Sequence, residues 1–215
     1  MPIFLDTNVP LGYIFKWDPW HSYATNAFKN KDLKYWSNTV VNETNHKLKE
    51  HKKNYLNFLY DISYKLKNSE GFFKKDDILS LANSSEVDLE SKKRKLVIES
   101  IWDKEGFNYE ENSSNISNTF NKIIMDFNSD VYSREKKFSS NLQLHIRKKE
   151  YPKIKQALRK EIHYPDYEIF LDAHDLCFIH KNLEFITSDY AEKKIDYVKS
   201  QTNITRITDL RKFIF

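Results

Sequence analysis

The chain has very little of what most nucleotide-handling and hydrolytic enzymes depend on. Its 215 residues include only three glycines, Gly12, Gly71 and Gly106. A phosphate-cradling loop or a dinucleotide-binding turn needs several glycines within a short span, so both are excluded. No His-Glu-x-x-His helix is present, and no serine sits on a Gly-flanked nucleophile elbow. The single cysteine, Cys177, excludes an intramolecular disulfide and a Cys-rich zinc site, and its apolar neighbours mark it as a small core residue. No apolar segment approaches the roughly 20 residues of a membrane-spanning helix. Asp6 and Asn8 interrupt the first apolar run, so no secretory leader is read and a cytoplasmic protein is expected. What survives these exclusions is carboxylate chemistry.

Charged residues make up 31% of the chain and aromatics 15%, a balance that favours a globular fold over disorder. The formal charge of +4, from 35 Lys and Arg against 31 Asp and Glu, is compatible with a nucleic-acid partner without requiring one.

Hydrophobic patterning places strands near 3–5, 33–37, 183–187 and 204–208, alternating with helices. The first strand leads into a loop and then a helix signalled by Asp18-Pro19-Trp20. Asn38 or Thr39 caps a long helix that continues to about Leu66. A helix starts near His163-Tyr164-Pro165-Asp166, with Pro in its first turn, and a further helix covers about 191–199, followed by a closing turn at Asp209-Leu210-Arg211. This order predicts an α/β fold with a mostly parallel sheet. Residues 68–150 are polar with apolar residues at helical spacing, and read as a mainly helical insertion with loops near Asn83-Ser84-Ser85 and Asn112-Ser113-Ser114. The expectation is one domain over 1–215, with a core of about 1–67 and 151–215.

Four acids stand at strand ends or helix starts. Asp6 and Asp189 follow two apolar strands, in Phe4-Leu5-Asp6-Thr7-Asn8 and Phe185-Ile186-Thr187-Ser188-Asp189. Ligands of parallel sheets bind at that edge. Glu43 lies near the start of the long helix, and Thr187 is placed to orient a neighbouring carboxylate. Each acid alone has a plainer reading as a helix-capping or dipole-favoured residue. The third position is open between Asp166 and Asp172. Counting from Asp166, Ile169, Phe170, Ala173, Leu176 and Cys177 form one buried stripe, which favours Asp166. Glu168, Asp172 and Asp175 are then expected on a solvated face, though the spacing to the next strand keeps Asp172 in contention. Several carboxylates packed together cannot all stay ionised without a cation between them, and oxygen ligands suit Mg²⁺ or Mn²⁺. Other candidates are weaker. Trp17 and Trp20 could stack an unpaired base, and Lys92-Lys93-Arg94-Lys95 and Arg147-Lys148-Lys149 could follow a phosphate backbone. His163, His174 and His180 find no second ligand at convincing spacing.

Taken together, "FLDTNV", "SNTVVNE", "PDYEIFLDAHDL" and "LEFITSDY" resemble the four signature blocks of PIN-domain nucleases, over roughly 1–60 and 160–210. The resemblance implies a three-layer α/β/α sandwich and metal-dependent endoribonuclease cleavage of single-stranded RNA. By motif match it implies Asp6, Glu43, Asp166 and Asp189 as the acidic quartet, with Asp6, Asp166 and Asp189 holding Mg²⁺ or Mn²⁺. It also brings in a homodimer and an antitoxin-like protein inhibitor as partners besides RNA. The alternative is a catalytically silent PIN-like module for RNA binding or assembly.

Overall fold

A computed structural model describes residues 1–30, 32–189 and 191–213. Five parallel strands form the main sheet: β1 (Ile3–Leu5), β2 (Lys34–Ser37), β5 (Gln143–His145), β6 (Glu184–Thr187) and β7 (Arg206–Asp209). They lie in the order β5-β2-β1-β6-β7. The chain therefore winds outward from β1 in one direction, then returns to its other side. This reversal puts a topological switch point between β1 and β6, and right-handed crossovers then place helices on both faces.

Two compact units are present, one formed by 1–14, 20–47 and 135–215, the other by 15–19 and 48–134. In the sheet unit, α1 (Asn8–Ile14) and α2 (His21–Lys29) follow β1. Gly12 permits their close approach, since a Cβ there would stand 3.0 Å from that of Trp20 and 3.3 Å from that of Ala24. The long helix α3 (Asn38–Lys67) follows β2 directly. Later come α7 (Pro152–Leu158), α8 (Asp166–Leu176) and α9 (Glu192–Gln201). Register pairs Phe4 with Tyr35 and Phe185, and Phe185 with Ile207, so the four share one face of the sheet. That face packs with Leu158, Ile169, Phe170, Leu176, Cys177 and Val198 of this second helical group. Trp36, one residue out of phase, lies instead near Phe138, which also touches Tyr13 and Phe28. Burial pushes the Cys177 thiol up to about 11, as a core thiol should be.

The second unit is helical apart from a small antiparallel pair, β3 (Phe72–Phe73) with β4 (Glu111–Asn112). It holds the rest of α3, then α4 (Lys75–Asn83), α5 (Ser91–Glu105) and most of α6 (Ser113–Ser139). Its core stacks Trp17 on Phe127 and Phe15 on Tyr55. Arg94 organises the loop between α4 and α5: its guanidinium donates to the carbonyls of Ala82, Asn83, Ser85, Val87 and Leu89 at 2.6–3.3 Å. Truncating it leaves those carbonyls without their shared donor. Arg94→Ala should therefore cost about 2–4 kcal/mol, read as a lowered denaturation midpoint in urea. A change below half a kcal/mol would show that the loop stands without it.

Several expectations need correction. The segment after β1 is not a loop but α1. The stretch read as a mainly helical insertion is indeed mostly helix, but β5, within its span, joins the main sheet as an edge strand. Asn112-Ser113-Ser114 is no loop: Asn112 ends β4 and Ser113 begins α6, with its hydroxyl on the Ser69 carbonyl at 2.8 Å. Trp17 is 2% exposed and cannot stack a base. The basic run on α5 is largely committed internally, through Arg94 and through Lys93, which pairs with Glu90 at 3.1 Å and Asp18 at 3.9 Å. Among the described residues no helix is long and apolar enough to cross a membrane.

Candidate active site

Asp6 leaves the carboxyl end of β1 at the switch point and is 5% exposed. Its carboxylate is held from both sides, by the Thr7 N–H on Oδ1 at 2.7 Å and the Thr187 hydroxyl on Oδ2 at 2.6 Å. Thr187 ends the neighbouring strand β6, so adjacency of the two strands alone delivers this hydroxyl. Its Oγ1 also accepts the Asp189 N–H at 3.2 Å, which ties the following turn to the same point. Burial pushes the Asp6 carboxyl up to about 7; the Thr187 hydrogen bond opposes the shift, the negative charge of Asp189 adds to it, Thr7 opposes it, and Asp166 adds again. Two of the other expected acids, Asp189 and Asp166, thus act on the charge of Asp6.

The fourth, Glu43, sits in the second turn of α3. Its Oε2 accepts the buried Thr7 hydroxyl at 2.7 Å, and its Oε1 pairs with Lys47 at 2.6 Å. Lys47 had no part in the sequence reading, although its i, i+4 spacing from Glu43 was visible. Burial works against its charge, but the bond to Glu43 and the fields of Glu43, Asp6 and Asp189 outweigh that and hold the ammonium above its usual range. Thr7, likewise missed, links Asp6 to Glu43 through its backbone and side chain together.

Asp166 and Asp172 have different surroundings. Asp166 opens α8 and contributes to the charge felt by Asp6. Asp172, two turns on, is engaged elsewhere: its Oδ2 accepts the Thr39 hydroxyl at 2.8 Å and its Oδ1 lies 3.3 Å from the Arg147 guanidinium. Burial raises Asp172, against hydrogen bonds from Ser37 and Thr39 and the charge of Arg147. The expected solvated face of α8 is not solvated. Asp172 and Asp175 are 4% and 5% exposed, and the Glu168 side chain is 13% exposed. Each has a dedicated partner. Glu168 binds Arg147 at 2.8 Å and also Lys155, while Asp175 accepts from Tyr151 at 2.6 Å and faces His145 at 3.1 Å. Burial would raise Asp175, but the Tyr151 hydroxyl, the Lys148 N–H and His145 hold it below the usual carboxylate range. The i, i+4, i+7 pattern of acids was read as surface because their counter-charges lie on residues 145–155, distant in sequence.

Arg147 is accordingly an internal counter-ion and not a backbone-tracking charge. His174 is buried and its Nδ1 accepts the Asn203 N–H at 2.9 Å, while His180 bonds the Tyr35 hydroxyl at 2.9 Å. His163 is exposed. The capping alternative for Asp189 is not realised: α9 begins after Ala191 with no side-chain cap, and Asp189 instead accepts from Ser188 at 3.1 Å.

The donor set around Asp6 is all oxygen, which suits a hard divalent cation. A carboxyl raised by burial, with two like charges adding to the shift, is also a group whose ionised form a cation would rescue. Among the described residues, however, no three acids, histidines or cysteines stand together as a ready-made cation cage. The fit is therefore one of chemistry and shared field.

Fold and site define a class: a parallel α/β protein with a threonine-braced acidic site at the switch point of its sheet. Comparison with protein-family models, curated proteins and solved structures finds no match to this chain.

Proposed function

We propose that this chain is a metal-dependent endoribonuclease of the PIN-like kind, cutting single-stranded RNA at the Asp6 site. The observation that carries the reading is the Asp6 carboxylate, buried at the switch point and held by Thr7 and Thr187, with burial and the charges of Asp189 and Asp166 pushing its pKa up. Natural folds rarely keep so costly a carboxyl without use for it, and sites of this kind cluster where chemistry is done. Asp6, Asp166 and Asp189 would hold Mg²⁺ or Mn²⁺, which when bound supplies an activated water and charge stabilisation at a phosphodiester. The chain's own part is positioning. Thr187 and Thr7 fix the Asp6 carboxylate, so its orientation costs no reorganisation when substrate arrives. Glu43, locked between Thr7 and Lys47, is set to orient a water or accept a proton near the same point. Lys47, paired with Glu43 at 2.6 Å, holds that carboxylate in place.

Two substitutions on one helix separate the acids. In a fluorogenic single-stranded RNA assay with Mn²⁺, Asp166→Asn should lower kcat by at least about a hundredfold with the melting temperature little changed. Asp172→Asn should do the opposite, losing stability through its broken contact with Arg147 while the folded fraction still cuts. The reverse pattern would move the third acid to Asp172, and no cleavage by the unaltered protein with any divalent ion would end the nuclease reading.

One arrangement favours the silent-module alternative: Lys47 already neutralises Glu43, and among the described residues no cation cage is preformed. Thermal shift decides between them. Mn²⁺ at a hundred times its dissociation constant should stabilise a metal-binding fold by roughly 2.7 kcal/mol, more at pH 8 than at pH 5 because Asp6 must ionise to bind. A melting temperature indifferent to millimolar Mn²⁺ at both pH values, with RNA still bound, would make this a binding module.

A further inference from the structure

Beside the acids lies a groove of about 730 Å³ lined by Asn38, Asn42, His46, Arg147, Tyr164 and Pro165, with Glu43 and Lys47 at its shared edge. We infer that this groove takes one unstacked nucleobase next to the scissile phosphate, with Tyr164 as its stacking platform. The inference rests on the nuclease reading for the identity of the polymer, while the recognition chemistry is the groove's own.

The charges in the groove cancel. Lys47 answers Glu43 at 2.6 Å, and Arg147 answers Glu168 at 2.8 Å, so no unpaired cation there awaits a second phosphate. What the groove offers is neutral and flat. Tyr164 is 73% exposed, and Tyr167 braces it edge-on with centroids 6.0 Å apart. Across from it, Asn38, Asn42 and His46 recur every four residues on α3 and so form one stripe of the helix. All three are exposed. Amide and imidazole groups in a row suit the polar edge of a base, and an exposed aromatic suits its face. The neighbouring stripe of the same helix, Thr39, Glu43 and Lys47, runs to the acids, which puts the base and the bond to be cut one helix face apart. The groove's volume falls within the range of small-ligand sites and exceeds that of a single base, so a nucleoside fits with its sugar turned toward Glu43.

The test reads binding without cleavage. The protein is titrated in EDTA with single-stranded ten-residue RNAs carrying 2-aminopurine at successive positions. Quenching should be confined to one or two adjacent positions. Tyr164→Ala should weaken binding roughly 5- to 150-fold, the range for loss of one base stack, whereas Tyr164→Trp should retain both affinity and quench. Asn42→Ala should give a smaller loss that depends on the base at the quenched position. An abasic residue at that position should weaken the unaltered protein by a factor like that of Tyr164→Ala and add little on top of it. Equal affinity of Tyr164→Ala and the unaltered protein overturns the subsite, as do penalties that multiply, or failure to bind RNA at all. The same binding pattern in a protein that fails to cut RNA whichever divalent ion is supplied would remove the nuclease reading and leave the base site standing.

Discussion

Asp6→Asn should abolish metal-dependent cleavage and at the same time make the protein more stable at pH 8. The two effects have one cause. In the folded chain the Asp6 carboxyl titrates near 7 against an ordinary 3.8, because burial, Asp189 and Asp166 all oppose its charge. Below about pH 4 both folded and unfolded chains carry the proton, and Asp6 costs nothing. Between pH 4 and 7 the unfolded chain releases the proton while the folded chain keeps it, so stability falls as pH rises. Above 7 the cost is complete, at roughly 4 kcal/mol for a shift of this size. An asparagine keeps an oxygen for the Thr7 N–H and leaves the Thr187 hydroxyl free to reorient, but it carries no charge to bury. Urea midpoints at pH 4, 6 and 8 should therefore coincide for the two proteins at pH 4 and diverge upward for Asp6→Asn by pH 8. Cleavage in Mn²⁺ should drop by about a thousandfold or more. A variant destabilised at pH 8, or one that still cuts, would contradict the role given to Asp6.

The second large effect lies away from the acids. Arg147 faces two carboxylates with little access to water, Glu168 with its side chain 13% exposed and Asp172 with its side chain 6% exposed. Removing the guanidinium leaves Asp172 without a counter-charge and Glu168 with Lys155 alone, and breaking a buried pair in this way costs about 3–5 kcal/mol. Arg147→Met should cost that much, and adding Glu168→Gln and Asp172→Asn should recover a substantial part of it. The recovery is the informative measurement. If neutralising both acids in the Arg147→Met background leaves the urea midpoint unchanged, the loss is one of packing and not of charge.

The strands were legible to within two or three residues because buried parallel strands are short, continuous apolar runs. Ile3–Leu5 follows that pattern throughout, and Lys34–Ser37 and Glu184–Thr187 carry it in their central Tyr35-Trp36 and Phe185-Ile186. The reach of α3 to Lys67 was legible for a similar reason, in the spacing of Leu48, Tyr55, Leu59, Ile62 and Leu66. Gln143–His145 was not legible. It is three residues long, it lies in a polar stretch, and its strand identity comes from pairing with β2, more than a hundred residues upstream. The surroundings of α8 were misread for the same kind of reason. A carboxylate buried against a guanidinium looks, in sequence, like a carboxylate facing water.

The sequence by itself determined an α/β chain with acids at the carboxyl ends of two apolar strands, because local periodicity and strand-terminal residues are properties of neighbouring positions. Only the tertiary structure decided which acids share a field and which are neutralised. It set β6 beside β1, so that Thr187 could bond Asp6, and it brought Arg147 to Asp172 and Glu168 while Asp166 was left within electrostatic reach of Asp6. Whether a carboxylate ends as an internal ion pair or as part of a reactive cluster depends on the charges that folding brings near it, and those come from parts of the chain that sequence spacing does not connect.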